Sequence, residues 1–254
     1  MFDPSLVDSL SANSEERVFI RRIAEHKPEL TAEDCAGFPA NRRAAVLVLL
    51  FVRDGHIRVL LTTRSKSLRS HPGQVALPGG RCDPEDGSMV KTAIREAHEE
   101  VGLSSVCLSP RHRMGNWSEF LQELKANESE VDEIWDHPLE AVLSPELVHQ
   151  PDILTVRWPS RARKGGHMRE PYDREWMRDT HYRMHRFRTV AVPIKGLTAD
   201  ILIRTAEIVY KRQPSFTLRA DDQLDFGASL KYVIEDIEAN VAKKAAEQRR
   251  LAPA

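Results

Sequence analysis

The stretch Arg95-Glu96-Ala97-His98-Glu99-Glu100-Val101-Gly102-Leu103 crowds three carboxylates into little more than one helical turn. On a helix turning roughly 100° per residue, Glu96, Glu99 and Glu100 fall within roughly 100° of one another. Val90, Ala93, Ile94, Ala97 and Val101 form an apolar set centred about 120° away. One face therefore packs, and a neighbouring face gathers acid. Carboxylates that close repel one another unless a cation neutralises them. Hard divalent ions such as Mg²⁺ or Mn²⁺ take oxygen ligands of this kind and keep positions open for water and phosphate. An acidic helix face is also commonly a plain solvated surface; the loop ahead of the helix tips the balance. Pro78-Gly79-Gly80 lets backbone come close to a ligand, and Asp83, Glu85 and Asp86 add acids. A Gly-rich turn, then acids, then a Glu-rich helix predicts a metal–diphosphate site. Arg95 can reach Glu99 at i+4 and orient a carboxylate. His98 falls on another face, where a packing or surface role is expected. Asp83 and Asp86 could serve the metal through water or cap the helix; capping is expected for Asp86.

The elements around this stretch follow from pattern. Ser88–Val101 reads as a helix closed by Gly102 as a left-handed C′ residue. Ala44–Val52 is a continuous apolar run, expected as one fully buried strand. Asp54-Gly55 then predicts a hairpin into His56–Thr63. Residues 64–87 read as loop. Val131–Trp135 reads as a strand and Leu139–Leu147 as a short helix. Ser14–Ala24 and Thr198–Tyr210 read as helices, the second with Thr198 as N-cap. Asp225–Arg250 is a polar helix with apolar positions Leu230, Ile234, Ile237 and Val241. Strands and helices alternate without a strict βαβ rhythm, so the expected class is α/β (α+β), a mixed sheet between helices.

At this point the residues resemble the Nudix hydrolases. Their signature is a Gly, a Glu six residues later, then an Arg-Glu-apolar-x-Glu-Glu-x-Gly-apolar block. Arg95–Leu103 matches that block, with Ala97 small for the bulky aliphatic slot. The front half departs: Asp86 stands six residues after Gly80, and the gap to Arg95 is one residue longer than in the signature. Upstream, Leu60-Leu61-Thr62-Thr63-Arg64-Ser65, then Arg69, Gly73 and Leu77-Pro78-Gly79-Gly80, looks like the extra motif of the coenzyme A diphosphatase branch. That branch carries the lengthened box; Leu77 replaces its usual Phe. Downstream, Asn127–Leu139 resembles the acidic strand ending in Pro-Leu. Gly196-Leu197-Thr198-Ala199 resembles a Gly-Leu-Thr-Ala helix start, with Lys195 in place of Trp. The resemblance spans about residues 40–148 and 192–216.

The resemblance implies a Nudix α/β/α sandwich and Mg²⁺- or Mn²⁺-dependent cleavage of a diphosphate. For this branch, the implied reaction turns coenzyme A into 3′,5′-ADP and 4′-phosphopantetheine. Glu96, Glu99 and Glu100 would be metal ligands, with Glu96 helping to activate water and Arg95 steadying a carboxylate. A further acid from a strand often completes such sites. Glu130 and Glu133 are the candidates, and Glu133 is carried in the expected ligand set. Arg64 and Arg69 suit phosphate recognition, with Gly79 and Gly80 lining the substrate.

Composition bounds the rest. The 254 residues carry 37 Lys or Arg and 38 Asp or Glu, a formal charge of -1. That disfavours a globally basic nucleic-acid binder. The longest apolar run, Ala44–Val52, is far below the roughly 20 residues that span a bilayer. Three cysteines, Cys35, Cys82 and Cys107, make a disulfide scaffold or Cys-based zinc site unexpected. The cytosol is the default expectation, with mitochondrion and peroxisome left open, as is oligomeric state. Three parts are expected: an N-terminal extension over 1–40, a catalytic domain over 41–217, and a C-terminal polar helix over 218–254. The domain carries a basic insertion at about 150–188. Arg157–Arg188 holds ten Lys or Arg against four Asp or Glu, with Trp158, Tyr172, Trp176 and Tyr182 interleaved. Such a segment suits single-stranded nucleic acid or a polyanionic small substrate, and equally an ordinary solvated loop. His181 and His185 at i+4 read as strand residues rather than a zinc pair.

Overall fold

The structure is a computed structural model that describes residues 14–28, 38, 42–104, 121–149, 169–189 and 192–251. Trp158, Cys35, Cys107 and much of the basic insertion lie outside the described residues. The chain divides into two compact units. The first comprises Met1–Glu170 and His185–Phe216, the second Pro171–Met184 and Thr217–Ala254.

In the first unit, β2 (Leu50–Arg53) and β3 (His56–Arg64) form the expected hairpin. Its turn is Asp54-Gly55, with φ of 53° and 75°, the pair of positive values that a two-residue I′ turn needs. The other edge of β3 pairs along its length with β6 (Val131–Pro138), while β4 (Val75–Ala76) pairs with Thr62 and Thr63. A second small sheet joins β1 (Ala44–Val46) to β5 (Gly79–Arg81). A third joins β9 (Arg186–Phe187) to β10 (Ile194–Lys195). Every strand pairing among the described residues is antiparallel. Ile57–Thr63 are buried in succession, so both faces of the sheet are covered, as the α/β/α sandwich requires. Helix α2 (Met89–Val101) packs on β1 and β5. Its Ala97 and Val101 join Phe51, Leu60, Leu103, Leu121, Val131 and Ile134 in one core.

The run Ala44–Val52 is not one strand. It supplies β1 to the small sheet and β2 to the main one, with a break at 47–49. Across the break the Leu47 N–H donates to the Pro78 carbonyl, and the Leu60 N–H donates to the Leu49 carbonyl. An apolar run records burial but not the partner, and here the partner changes midway. The loop expected over 64–87 contains β4 and β5. The helix expected at Leu139–Leu147 is two 3-10 stretches, Leu139–Val142 and Pro145–His149.

Helix α3 (Leu197–Tyr210) buries Ala199, Leu202, Ile203, Ala206 and Val209. Thr198 does not cap it. Gly196 precedes the helix, and the Thr198 hydroxyl donates to the Val75 carbonyl, pinning the helix start to β4. Helix α1 (Ser14–Glu25) packs against α3, with Phe19 edge-on to Tyr210 and Arg22 donating to the Val209 carbonyl. That bond satisfies one of the carbonyls a helix end leaves open.

In the second unit, β7 (Tyr172–Glu175) and β8 (His181–Met184) form a two-stranded ribbon within the stretch read as irregular. His181 stands in a strand, as its alternation predicts. Helix α4 (Phe226–Leu251) starts where the Asp225 carboxylate accepts the Ala228 N–H. The cations of the ribbon are largely engaged within the unit. Arg178 pairs with Asp236, and Arg183 pairs with Asp173.

Candidate active site

Helix α2 is bounded by its own sequence. The Ser88 hydroxyl accepts the Lys91 N–H at 3.2 Å, and Gly102 at φ 69° ends the helix. Between these caps the acids face different surroundings. Glu100 is 3% exposed and accepts the Gly79 N–H at 3.1 Å. Burial pushes its pKa up to about 7, with Glu130 and Glu96 adding and the Gly79 N–H and Arg64 opposing. Glu96 is also raised, chiefly by burial, with Arg95 opposing and Glu99 and Glu130 adding. Gly80 lies directly against it: a Cβ there would fall 2.5–2.6 Å from the Glu96 carboxyl atoms. The glycine is therefore required for the carboxylate to sit where it does. Glu99 is half exposed and held by Arg95 at 3.1 Å.

Arg95 is the hub of this arrangement. Its Nε donates to Asp86 Oδ1 at 2.8 Å and its Nη2 to Asp86 Oδ2 at 3.0 Å. It also donates to the Arg81 carbonyl and contacts Glu96 at 3.1 Å. Asp86 is thus not a cap of α2, which Ser88 already caps. Its carboxylate accepts from Arg95, the Thr92 hydroxyl and the Asp83 N–H. Arg95 first, then Thr92 and Asp83, holds its pKa well below the usual carboxylate range. Asp83 caps the 3-10 turn Pro84–Asp86 instead. Sequence reading missed Thr92; its place one turn before Glu96, on the acidic side of the helix, was the available signal.

The two candidates for a further acid separate clearly. Glu133 pairs across from Thr63 and shares its sheet face with Leu61 and Trp135, opposite the Leu60–Ile134 face that packs on α2. Its pKa is raised by burial and by Asp132, with no influence from Glu96 or Glu100. Glu130 lies in the turn before β6, its carbonyl accepting the Ser65 N–H. Its charge acts on both Glu96 and Glu100. Glu130, not Glu133, is therefore the acid whose charge acts on the carboxylates.

Arg64 ends β3 half-buried. Its Nε is buried without a hydrogen-bond partner, and its charge favours ionised Glu100. Arg69 is exposed on the loop beyond. His98 is exposed, as expected, and lines a shallow groove with Lys91, Ile94 and Arg95. Among the described residues no three His, Cys, Asp or Glu side chains converge tightly enough to hold an ion as they stand. The donor chemistry nonetheless fits a hard divalent cation. The charge of Glu130 raises the proton affinity of both Glu96 and Glu100, and a cation relieves that repulsion as a proton would.

Residues 41–179 match the NUDIX domain family model. "Nudix hydrolase 15, mitochondrial" from Arabidopsis thaliana is 35% identical over 195 residues, covering 69% of this chain and 61% of that protein. "Nudix hydrolase 22, chloroplastic" from the same plant is 33% identical, covering 69% and 58%. "Uncharacterized Nudix hydrolase NudL" from Yersinia pestis is 36% identical over 130 residues, covering 44% and 63%. The chain spans about three-fifths of the length of these relatives. No helix among the described residues is long and apolar enough to cross a membrane. With the domain match covering more than half its length, and with the Arg95–Leu103 block folded as a capped acidic helix against a glycine turn, the chain belongs to the Nudix family.

Proposed function

We propose that this protein is a metal-dependent diphosphatase that cleaves coenzyme A and its derivatives to 3′,5′-ADP and 4′-phosphopantetheine or its acyl form. The reading rests on how the 60–80 segment meets α2. Gly79 donates to Glu100, Gly80 abuts Glu96, and Arg64 stands in the field of Glu100. The motif that resembles the coenzyme A branch therefore lies against the acids rather than elsewhere on the surface.

Glu96, Glu99, Glu100 and Glu130 are the residues that would hold Mg²⁺ or Mn²⁺. When bound, such ions neutralise diphosphate charge and lower the pKa of a coordinated water. The chain's own residues do the rest. Gly79 and Gly80 leave room for β1 and for the Glu96 carboxylate beside them, which keeps that acid where a diphosphate's metal would need it. Arg64 and exposed Arg69 would take anionic oxygens of the substrate. Arg95, anchored by two bonds to Asp86, restrains Glu96 and Glu99 from swinging into solvent. It acts as a positioning residue.

The test is purified protein with Mg²⁺ or Mn²⁺ and free coenzyme A, products resolved by chromatography, with Glu99→Ala as control. ADP-ribose, NADH and capped RNA run alongside. Release of 3′,5′-ADP that disappears in the variant supports the reading. Turnover of another diphosphate with coenzyme A untouched rejects the branch and keeps a Nudix diphosphatase.

A further inference from the structure

In the unit made of 171–184 and 217–254, helix α4 runs 26 residues, about 39 Å. Its apolar residues Leu230, Ile234, Ile237 and Val241 recur at intervals of four, three and four, the 3.5-residue period of a coiled-coil seam. In heptad terms Leu230 and Ile237 stand at d, and Ile234 and Val241 at a. Phe226 and Val233 flank the seam at g. The ribbon holds the opposite side of the helix. Arg178, at the ribbon tip, bonds Asp236 at 3.1 Å, contacts Glu235 at 3.7 Å and lies over the Tyr232 ring. Those three occupy c, b and f, about 180° round from the seam. The seam itself is open. Phe226 is 58%, Ile234 36% and Val241 61% exposed, and Leu230 and Ile237 are partly so. An amphipathic helix takes most of its stability from packing its apolar face. Within the unit, neither ribbon strand packs extensively on α4.

We propose that this seam is the dimer interface of the chain, two copies pairing their α4 helices antiparallel. The order of charges along the helix selects a second copy in that orientation. Its first half, 226–238, carries Glu235, Asp236 and Glu238 against Lys231. Its second half, 239–251, carries Lys243, Lys244, Arg249 and Arg250 against Glu247. A helix with an acidic half and a basic half complements its own copy only when the two run in opposite directions. The apolar spacing agrees. Setting Ile234 of one copy opposite Ile237 of the other also sets Leu230 opposite Val241, and the two-fold axis repeats both layers. The same register brings Lys231 and Glu238, both exposed and both at e, into contact across the pair, twice by symmetry. A parallel pair would lay acid on acid and leave Lys231 beside Phe226. An unrelated helix could cover the apolar positions, but only a second copy carries the reversed charge order by construction. The interface is separate from the diphosphatase reading and does not depend on it.

The experiment is sedimentation equilibrium of the full chain from about 1 to 200 μM, beside thermal unfolding. A monomer–dimer equilibrium is expected with Kd of about 10–100 μM, the range left to a short seam of four apolar layers. Ile234→Gln and Ile237→Gln should each weaken it at least about tenfold. Their unfolding midpoints at about 1 μM, where the chain is monomeric, should match the parent. Lys231→Glu and Glu238→Lys should each weaken dimerisation about 3- to 10-fold. The double variant should restore it, because the exchange reverses both members of each e–e pair. A monomer throughout overturns the proposal; an unfolding midpoint lowered by Ile237→Gln would then assign the stripe to the chain's own body. A dimer indifferent to Ile234→Gln and Ile237→Gln overturns it too, as does one that the charge-exchanged double variant fails to restore.

Discussion

Adjacent glycines of the 79–80 turn should fail in opposite ways when given a methyl group. At Gly79 a Cβ would lie 2.3 Å from the Ala45 carbonyl oxygen and 2.6 Å from the Val46 Cα, with φ at 155°. Those atoms are backbone of β1, paired to β5 through Val46 and Gly79, and cannot turn aside. Strain of about 1–3 kcal/mol from the dihedral adds to about 1–3 kcal/mol from overpacking. A loss near 4 kcal/mol is a large part of a typical domain's stability and lowers Tm by about 8–16 °C. At Gly80 the obstructing atoms are the flexible end of Glu96. Gly80→Ala should therefore cost less than about 1 kcal/mol while turning Glu96 out of place. A displacement of about 1 Å in such a group can cost on the order of 100-fold in rate. The assay pairs thermal unfolding with turnover per folded molecule under saturating Mg²⁺. A Gly79→Ala protein melting within about 2 °C of the parent would refute the steric reasoning. So would a Gly80→Ala protein with parental turnover.

Exchanging the two candidate acids should separate them: Glu130→Gln should weaken the Mg²⁺ dependence of turnover about 10- to 100-fold. Glu133→Gln should leave it within about twofold, and equal effects in a Mg²⁺ titration would contradict the placement. Asp136→Ala removes the carboxylate bonded to Arg58, which is 2% exposed, and should cost about 3–5 kcal/mol in denaturant unfolding. A loss below about 1 kcal/mol would mean the pair is dispensable. His137 is buried and neutral, with burial pushing its pKa down from 6.5 to about 3. Its contribution is complete above pH 6.5 and declines as pH falls toward 3, because the unfolded chain then takes the proton. The expected slope is about 1.4 kcal/mol per pH unit. His137→Gln should flatten the wild-type decline between pH 6.5 and 5; identical pH profiles would assign the decline elsewhere.

Between Asp86 and Arg95, Gly87 takes φ 67° and Ser88 caps α2. The chain turns sharply enough there for Asp86 to face back onto Thr92 and Arg95. A shorter acid than the signature's Glu still reaches the guanidinium with both oxygens.

What the sequence determined by itself was local and periodic. The α2 helix, its Ser88 start, its Gly102 end and its acidic face follow from 3.6-residue spacing and cap chemistry, which need no distant partner. The Asp54-Gly55 turn follows from backbone preference. The Arg95–Leu103 block was enough to indicate the family. Tertiary structure decided whatever depended on pairing. Ala44–Val52 was legible as apolar but not as two strands in two sheets, because hydrophobicity does not name its hydrogen-bond partner. Thr198 left its cap position because the Val75 carbonyl lay within reach. Glu130 and Glu133 are indistinguishable as letters. The register of β6 on β3, shifted by an irregularity between Thr63 and Arg64, turns Glu133 to the far face. Glu130, in the turn before the strand, escapes that alternation, and its charge acts on the helix acids.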